Sequence, residues 1–367
     1  MSREEMPMQE IITPDRWQVT HTLSRGSWQE MSLTLHRDPR YEVGQDVHAL
    51  VTGLSEESRI LRAEVFGPPA VVDLHCPVTW VCPLSPESGH LGGIYLQMAT
   101  GAPVTPIHLD GHHVGSVIET AHAREFIGAG IGPIDPDQSA PDQARQVFER
   151  MEQALHIVDM EFSHVVRTWL FLNDILSWYG EFNAVRTAFF NEREVFDGLV
   201  PASTGIGGPN PYGWAMMTGL YAIKPRNGRV AAQALPSPLQ CPALEYGSSF
   251  SRAVEVNLVD HRRLLVSGTA SIEPGGKTVH LGDVEGQIAL TMDVIAAILE
   301  SREMTWQDVT RATAYVLYPD DAAVFESYLE EHGLSSLPVI TAHSTICRED
   351  LLFELEVDAV HPAEPSA

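Results

Sequence analysis

Basic residues are scarce in this chain: 23 lysines and arginines face 49 acidic residues, a formal charge of −26. A surface of that sign repels a polyphosphate instead of exchanging counterions with it, which argues against nucleic-acid binding. Cysteine is scarce as well. Cys76, Cys82, Cys241 and Cys347 are too few and too irregularly spaced for a disulfide framework. No apolar run approaches the roughly 20 residues that span a bilayer. The chain also opens without the charged, apolar and small-residue succession of a secretion signal. The expectation is a soluble, cytoplasmic protein with no membrane partner. Metal-ligand spacing is missing too: Cys76 and Cys82 have no His-x₃₋₅-His partner, and the 16 histidines include no H-E-x-x-H. His112-His113 beside Asp110-Gly111 reads as a β-turn. Gly205-Ile206-Gly207-Gly208-Pro209 lacks the helix and the G-K-[ST] of a phosphate loop and reads as a hairpin loop. No metal and no cofactor is expected.

What the sequence does contain is a repeat. Residues 143–172 and 287–316 align without a gap at an offset of 144, pairing Gln143 with Gln287, Leu155 with Leu299, Met160 with Met304, and Arg167 with Arg311. In each copy apolar residues at helical spacing, such as Val147, Met151, Ala154 and Leu155, run into a short β-rich segment. A glycine-bearing strand precedes each copy, at 126–131 and 264–270. A second helix follows, at 179–196 and 320–332, and a closing hairpin is expected at 200–223 and 338–360. A weaker third copy opens the chain. There 61–66 resembles 167–172, 76–81 resembles 201–206 and 92–99 resembles 216–223, with a short connection in place of the second helix. The expectation is an α+β protein of three tandem modules, 1–103, 104–230 and 231–367, each a mixed sheet packed by two helices. The Pro-rich stretch 225–242 reads as a linker, and 1–15 and 361–367 as frayed tails.

Residues 347–358 read Cys-Arg-Glu-Asp-Leu-Leu-Phe-Glu-Leu-Glu-Val-Asp, a strand whose alternation puts Leu351, Phe353, Leu355 and Val357 on one face. Glu354, Glu356 and Asp358 share the other. For Glu356 and Asp358 the ordinary reading of such a face is solvent.

Gln143 at a helix start, the Val-Val-Arg strand 165–172, and a second helix carrying Phe182-Asn183 and a late Phe resemble the RidA/YjgF family, well over 104–367 and poorly before it. That resemblance implies modules of RidA/chorismate-mutase-like fold. It also implies a trimeric arrangement with sites in the clefts between modules, here a pseudo-trimer within one chain, either monomeric or a small homo-oligomer. Glu354 falls where RidA-like proteins carry a functional glutamate, and its counterpart in the middle copy lies near Met217. The carboxylate-binding arginine that family places at the start of the closing hairpin is missing from both 201–205 and 339–343.

Chorismatases, built from RidA-like modules and lacking that arginine, are a second resemblance. The segment 347–354, the run Tyr246-Gly247-Ser248-Ser249-Phe250-Ser251-Arg252 and the turn Ser203-Thr204-Gly205 are similar to theirs, whereas the connection 173–179 is shorter. The resemblance implies release of pyruvate from chorismate or a related enol-ether carboxylate, with Glu354 as general acid. Arg348 and Arg252 are candidate carboxylate clamps. Tyr246, Ser203, Thr204 and Gly205, with nearby backbone N–H groups, are candidate contacts to the anion, and Cys347 lines the cleft. The alternatives are a Rid-type enamine or imine deaminase acting on a small carboxylate, and a metabolite-binding protein without chemistry.

Overall fold

The computed structural model describes residues 17–37, 57–70, 74–88 and 90–362. Its strands form three sheets. The first holds β1 (Trp17–Arg25), β2 (Trp28–His36), β3 (Ser58–Phe66), β4 (Val78–Val81) and β5 (Gly93–Thr100) in the order β1-β2-β5-β3-β4. The second holds β6 (Val104–Leu109), β7 (His112–Glu119), β8 (Ala123–Ile131), β9 (Val165–Leu172), β10 (Ala202–Gly207) and β11 (Met216–Pro225), ordered β10-β9-β11-β8-β7-β6. The third holds β12 (Ala231–Leu235), β13 (Ala253–Asn257), β14 (His261–Ala270), β15 (Val309–Val316), β16 (Val339–His343) and β17 (Phe353–Pro362), ordered β16-β15-β17-β14-β13-β12. Among the described residues the helices are α1 (Ala140–Ile157) and α2 (Ile175–Glu192) in the middle module and α3 (Val284–Glu300) and α4 (Asp321–Glu331) in the last. Among the described residues the first module carries only a 3₁₀ turn, Pro86–Ser88.

The repeated glutamine has a structural cause. Gln143 Nε2 donates to the carbonyls of Pro136 and Gln138, both at 2.9 Å, and its Oε1 accepts from Ala215 N–H at 2.8 Å. Gln287 does the same with His280, Asp350 and Leu352. Each glutamine thus ties a helix start to the segment leading into the last strand of its module. Ser139 and Asp283 cap the two helices by accepting from Asp142 and Gly286 N–H.

Several expectations need correction. The closing segments are not hairpins: β10 runs parallel to β9 and β11 antiparallel to it, on opposite edges, and β16 and β17 flank β15 in the same way. In the first copy 76–81 and 92–99 fall in the expected register with 201–206 and 216–223, but in the first of its strands it is 62 and not 61 that is equivalent to 167. β3, β9 and β15 each carry a bulge before Arg62, Arg167 and Arg311, and those three arginines are equivalent. The supposed linker contains β12, paired with β13. The last strand begins at Phe353, so 347–351 is a loop, and it runs on through His361 and Pro362. Residues 1–15 and 363–367 lie outside the described residues.

The largest correction concerns the polar face of β17. Phe353, Leu355 and Val357 pack beneath α3 as expected, but Glu354, Glu356 and Asp358 are only 5%, 0% and 6% exposed. The helix-free faces of the three sheets meet around a pseudo-threefold axis. There Arg62, Arg167 and Arg311 face Glu64, Glu356 and Asp358. Arg62 Nη1 lies 2.9 Å from Glu64, and Arg311 Nη2 is 2.5 Å from Glu64 and 2.6 Å from Glu356. Three cations balance three anions, which is the condition for burying charge at tolerable cost. Phe66, Phe171 and Tyr315 pack together beside them, with ring centroids 6.0 and 6.2 Å apart.

Candidate active site

Strand register makes the three clefts comparable. Glu354 pairs with Tyr315, Met217 with Phe171 and Gly93 with Phe66. Of these three equivalent positions only Glu354 is acidic. Met217 is buried in an apolar cluster with Trp80 and Cys76. At Gly93 a Cβ would press on the Leu35 carbonyl and on Ile340 Cγ1. Two clefts thus carry no acid where the third has Glu354.

The third cleft lies between the middle and last modules and encloses about 250 Å³. Glu354, Arg252, Arg348, Ser203, Gly205 and Cys347 all line it. Thr204 does not. With Ser203 and Gly205 facing the cavity, period-two alternation turns Thr204 to the axis, where it donates to Glu356 and accepts from Arg167 Nη2 at 2.7 Å. Nor is the Ser203 N–H a free anion donor, since it donates to Ser267 Oγ at 2.8 Å. Tyr246 ends a 3₁₀ turn, Ala243–Tyr246, next to the cavity residue Gly247, and its side chain lies outside those described.

The sequence reading missed the α2 contribution. Tyr179, Asn183 and Arg186, spaced i, i+4 and i+7, project one helical stripe into the cavity. Arg186 is 2% exposed, and its Nη2 donates to Asn183 Oδ1 at 2.7 Å. That spacing is the signal that was available. α2 starts at Ile175, inside the segment read as a connection, and a kink at Trp178 delivers Tyr179 to the cleft. Cations that the β10 and β16 positions lack therefore arrive from α2 (Arg186), from the residue before β13 (Arg252, Nε on the Cys241 carbonyl at 2.9 Å) and from the 347–351 loop (Arg348, Nη1 on the Gly276 carbonyl at 2.9 Å).

Burial pushes the Glu354 carboxyl up to about 8; the charge of Glu356 adds to this, while Arg167 and Arg252 oppose it. At neutral pH it holds its proton. Burial, with the nearby Glu354 carboxyl, drives the Cys347 thiol up to about 12, so it is a neutral thiol and not a thiolate nucleophile. Burial likewise raises the Tyr179 phenol. The cavity therefore presents three guanidinium groups and one neutral acid, an arrangement suited to a ligand with more than one negative charge. Gly268 gives the acid its room: a Cβ there would lie well inside van der Waals contact of Glu354 Oε1 and 3.1 Å from Thr204 Cγ2. Among the described residues no group of three His, Cys, Asp or Glu side chains is placed to hold a metal ion, and no helix is long and apolar enough to cross a membrane.

Three RidA-like modules fused around one axis, with an acid retained in a single inter-module cleft, define a covalent pseudo-trimer. The chain belongs to the endoribonuclease L-PSP family, whose model matches residues 119–207 and 243–361. It is similar to a chorismatase of Streptomyces rapamycinicus, 26% identical over 307 residues covering 74% of this chain and 89% of the relative. A chorismatase of Streptomyces hygroscopicus is 24% identical over 300 residues, covering 71% and 84%. A crystal structure of a chorismatase superposes with a TM-score of 0.66 at 20% identity, covering 93% of this chain and 99% of that one. That likeness establishes the common fold.

Proposed function

We propose that this chain is a chorismatase-like hydrolase that releases pyruvate from chorismate or a related enol-ether carboxylate, with Glu354 as the general acid. The observation that carries the reading is a buried carboxyl, protonated at neutral pH, facing three arginines in the inter-module cleft. Substrate carboxylates bind Arg186, Arg252 and Arg348. Glu354 delivers its proton to the terminal vinyl carbon, and the ether oxygen lone pair stabilises the resulting oxocarbenium ion. Water adds, with loss of a proton, at the neighbouring carbon that bears the ether oxygen, and the hemiketal collapses to pyruvate and the ring alcohol. The Glu354 carboxylate formed in the first step balances the cation and regains a proton from solvent. Similarity to two chorismatases along most of the chain supports an enzyme of this kind, while the net charge of −26 opposes RNA as a substrate.

The test is to incubate the purified protein with chorismate and assay pyruvate, with 2-iminopropanoate as the parallel substrate. Pyruvate from chorismate supports the hydrolase. Ammonia release from the imine alone would replace it with the deaminase reading, and activity on neither would leave a binding protein.

Two quantitative outcomes follow from the geometry. Because Glu354 works in its protonated form, kcat/KM should be flat through neutrality. It should then fall about tenfold per pH unit on the alkaline side, with a midpoint near the free-enzyme value of about 8. Arg186→Gln truncates a buried cation, so KM for a dicarboxylate should rise about 10- to 100-fold with a smaller change in kcat. An unchanged KM would remove Arg186 from the binding set.

A further inference from the structure

The proton donor stands at the edge of a charged cluster that never reaches the cavity. Glu354 and Glu356, two residues apart on β17, share its axial face. Glu356 is completely buried and accepts from Arg167 Nη2 at 2.5 Å, Arg311 Nη2 at 2.6 Å, Tyr315 Oη at 3.2 Å and Thr204 Oγ1. Thr204 connects this cluster to the cavity wall, because its Oγ1 also accepts from the N–H of Gly268 at 3.0 Å. Gly268 is the residue whose missing Cβ accommodates Glu354. Neither Glu356, Arg167 nor Arg311 lines the cavity.

We infer that Glu356 and Arg167 are positioning residues for the proton donor: Glu356, pinned by Thr204 and two arginines, is the fixed negative charge behind Glu354 that acts with burial to hold its proton, and Arg167 is the cation that limits this effect. The inference rests on the reading of Glu354 as general acid.

The groups that face Glu354 come from every element around it. They are Glu356 on its own strand, Arg167 from β9, Tyr315 from β15, Arg252 from the segment before β13, Tyr179 and Arg186 from α2, and Cys347 and Arg348 from the loop. Burial keeps Tyr315, Tyr179 and Cys347 neutral at pH 7. Arg311 and Arg167 hold Glu356 below the usual carboxylate range despite its burial, so its charge is constant wherever Glu354 titrates. Removing the Glu356 charge takes away repulsion and deprives Arg167 of its ion-pair partner, while Arg311 keeps Glu64, and this favours ionised Glu354. Removing Arg167 acts in the opposite sense.

The experiment is the pH profile of kcat/KM together with a ¹³C NMR titration of glutamate-labelled protein, the Glu354 signal being assigned by its loss in Glu354→Gln. Glu356→Gln should move the alkaline limb and the Glu354 titration down by about one pH unit or more, and Arg167→Gln should move both up. The charge-neutral double variant should return toward the wild type. A structural role alone would lower rates without moving the limb in opposite directions, so shifts of one sign, or none, overturn the inference. If Glu356→Gln does not fold, the sign given by Arg167→Gln decides. If neither variant folds, ordinary acidic titration of every glutamate in the wild type still overturns the inference, because no raised Glu354 is then left for the axial charges to govern. Absence of pyruvate from chorismate would refute the functional reading, while the titration would still report whether the axial charges govern Glu354.

Discussion

Glu354→Gln is expected to lower pyruvate release by a factor on the order of 10² to 10⁴ while raising the melting temperature at neutral pH. Glutamine keeps the volume and can still donate a hydrogen bond, so KM should change little. It cannot give up a proton to carbon. The stability gain has a definite sign. The folded-state value of about 8 lies above the usual 4.5, so between those values the folded protein holds a proton that the unfolded chain has lost. Stability contributed by the neutral acid is complete below pH 4.5 and declines as pH rises toward 8. At pH 7 the deficit is roughly 3 kcal/mol, and the glutamine variant does not carry it. Activity assays and thermal melts on the same pair of proteins check both halves. A variant that is both inactive and less stable would indicate structural damage instead of a lost acid.

Gly268→Ala is the second large effect. The added methyl group cannot coexist with Glu354 Oε1 in its present place, and Thr204 Cγ2 at 3.1 Å closes the other side. The carboxyl must swing away. A displacement of about 1 Å in a reacting group costs on the order of 10²-fold in rate, so kcat should fall by about that factor. Because the alanine acts through Glu354, its effect on kcat should vanish in the Glu354→Gln background, a non-additivity that separates displacement of the acid from a general loss of fold. Equal losses in both backgrounds would show that Gly268 serves the site by another route.

Both predictions turn on residues that differ in how visible they are in the sequence. Glu354 stood apart from Glu356 and Asp358 through the resemblance to RidA-like proteins, which carry a functional glutamate at that position, and the repeat sets the non-acidic Met217 at the equivalent place. Gly268 was seen only as part of a glycine-bearing strand, since nothing local reveals which side chain crosses over it. The repeat itself was legible because Gln143 and Gln287 perform the same backbone-tying task in each module.

Alternation identified the polar face of β17 but misread its surroundings. Within one module that face would meet water, and only the other two sheets bury it, so Glu356 and Asp358 looked like solvent residues. Arg62 was placed out of register because the bulge before it leaves no mark in composition. The order β10-β9-β11 was missed because two consecutive strands look like a hairpin whether they pair with each other or straddle a third. Arg186 went unnoticed because a polar stripe on a helix ordinarily faces solvent, and here it faces a cleft that a neighbouring module completes.

The central claim is that Glu354 places a solvent-derived proton on the vinyl carbon of an enol ether. Chorismate turned over in D₂O, with the pyruvate analysed promptly by mass spectrometry, tests this most directly. Pyruvate carrying a single deuterium in its methyl group is expected from the wild type, and from Glu354→Gln at a rate lower by a factor on the order of 10² or more. Pyruvate without deuterium, or the same labelled product at undiminished rate from Glu354→Gln, would contradict it.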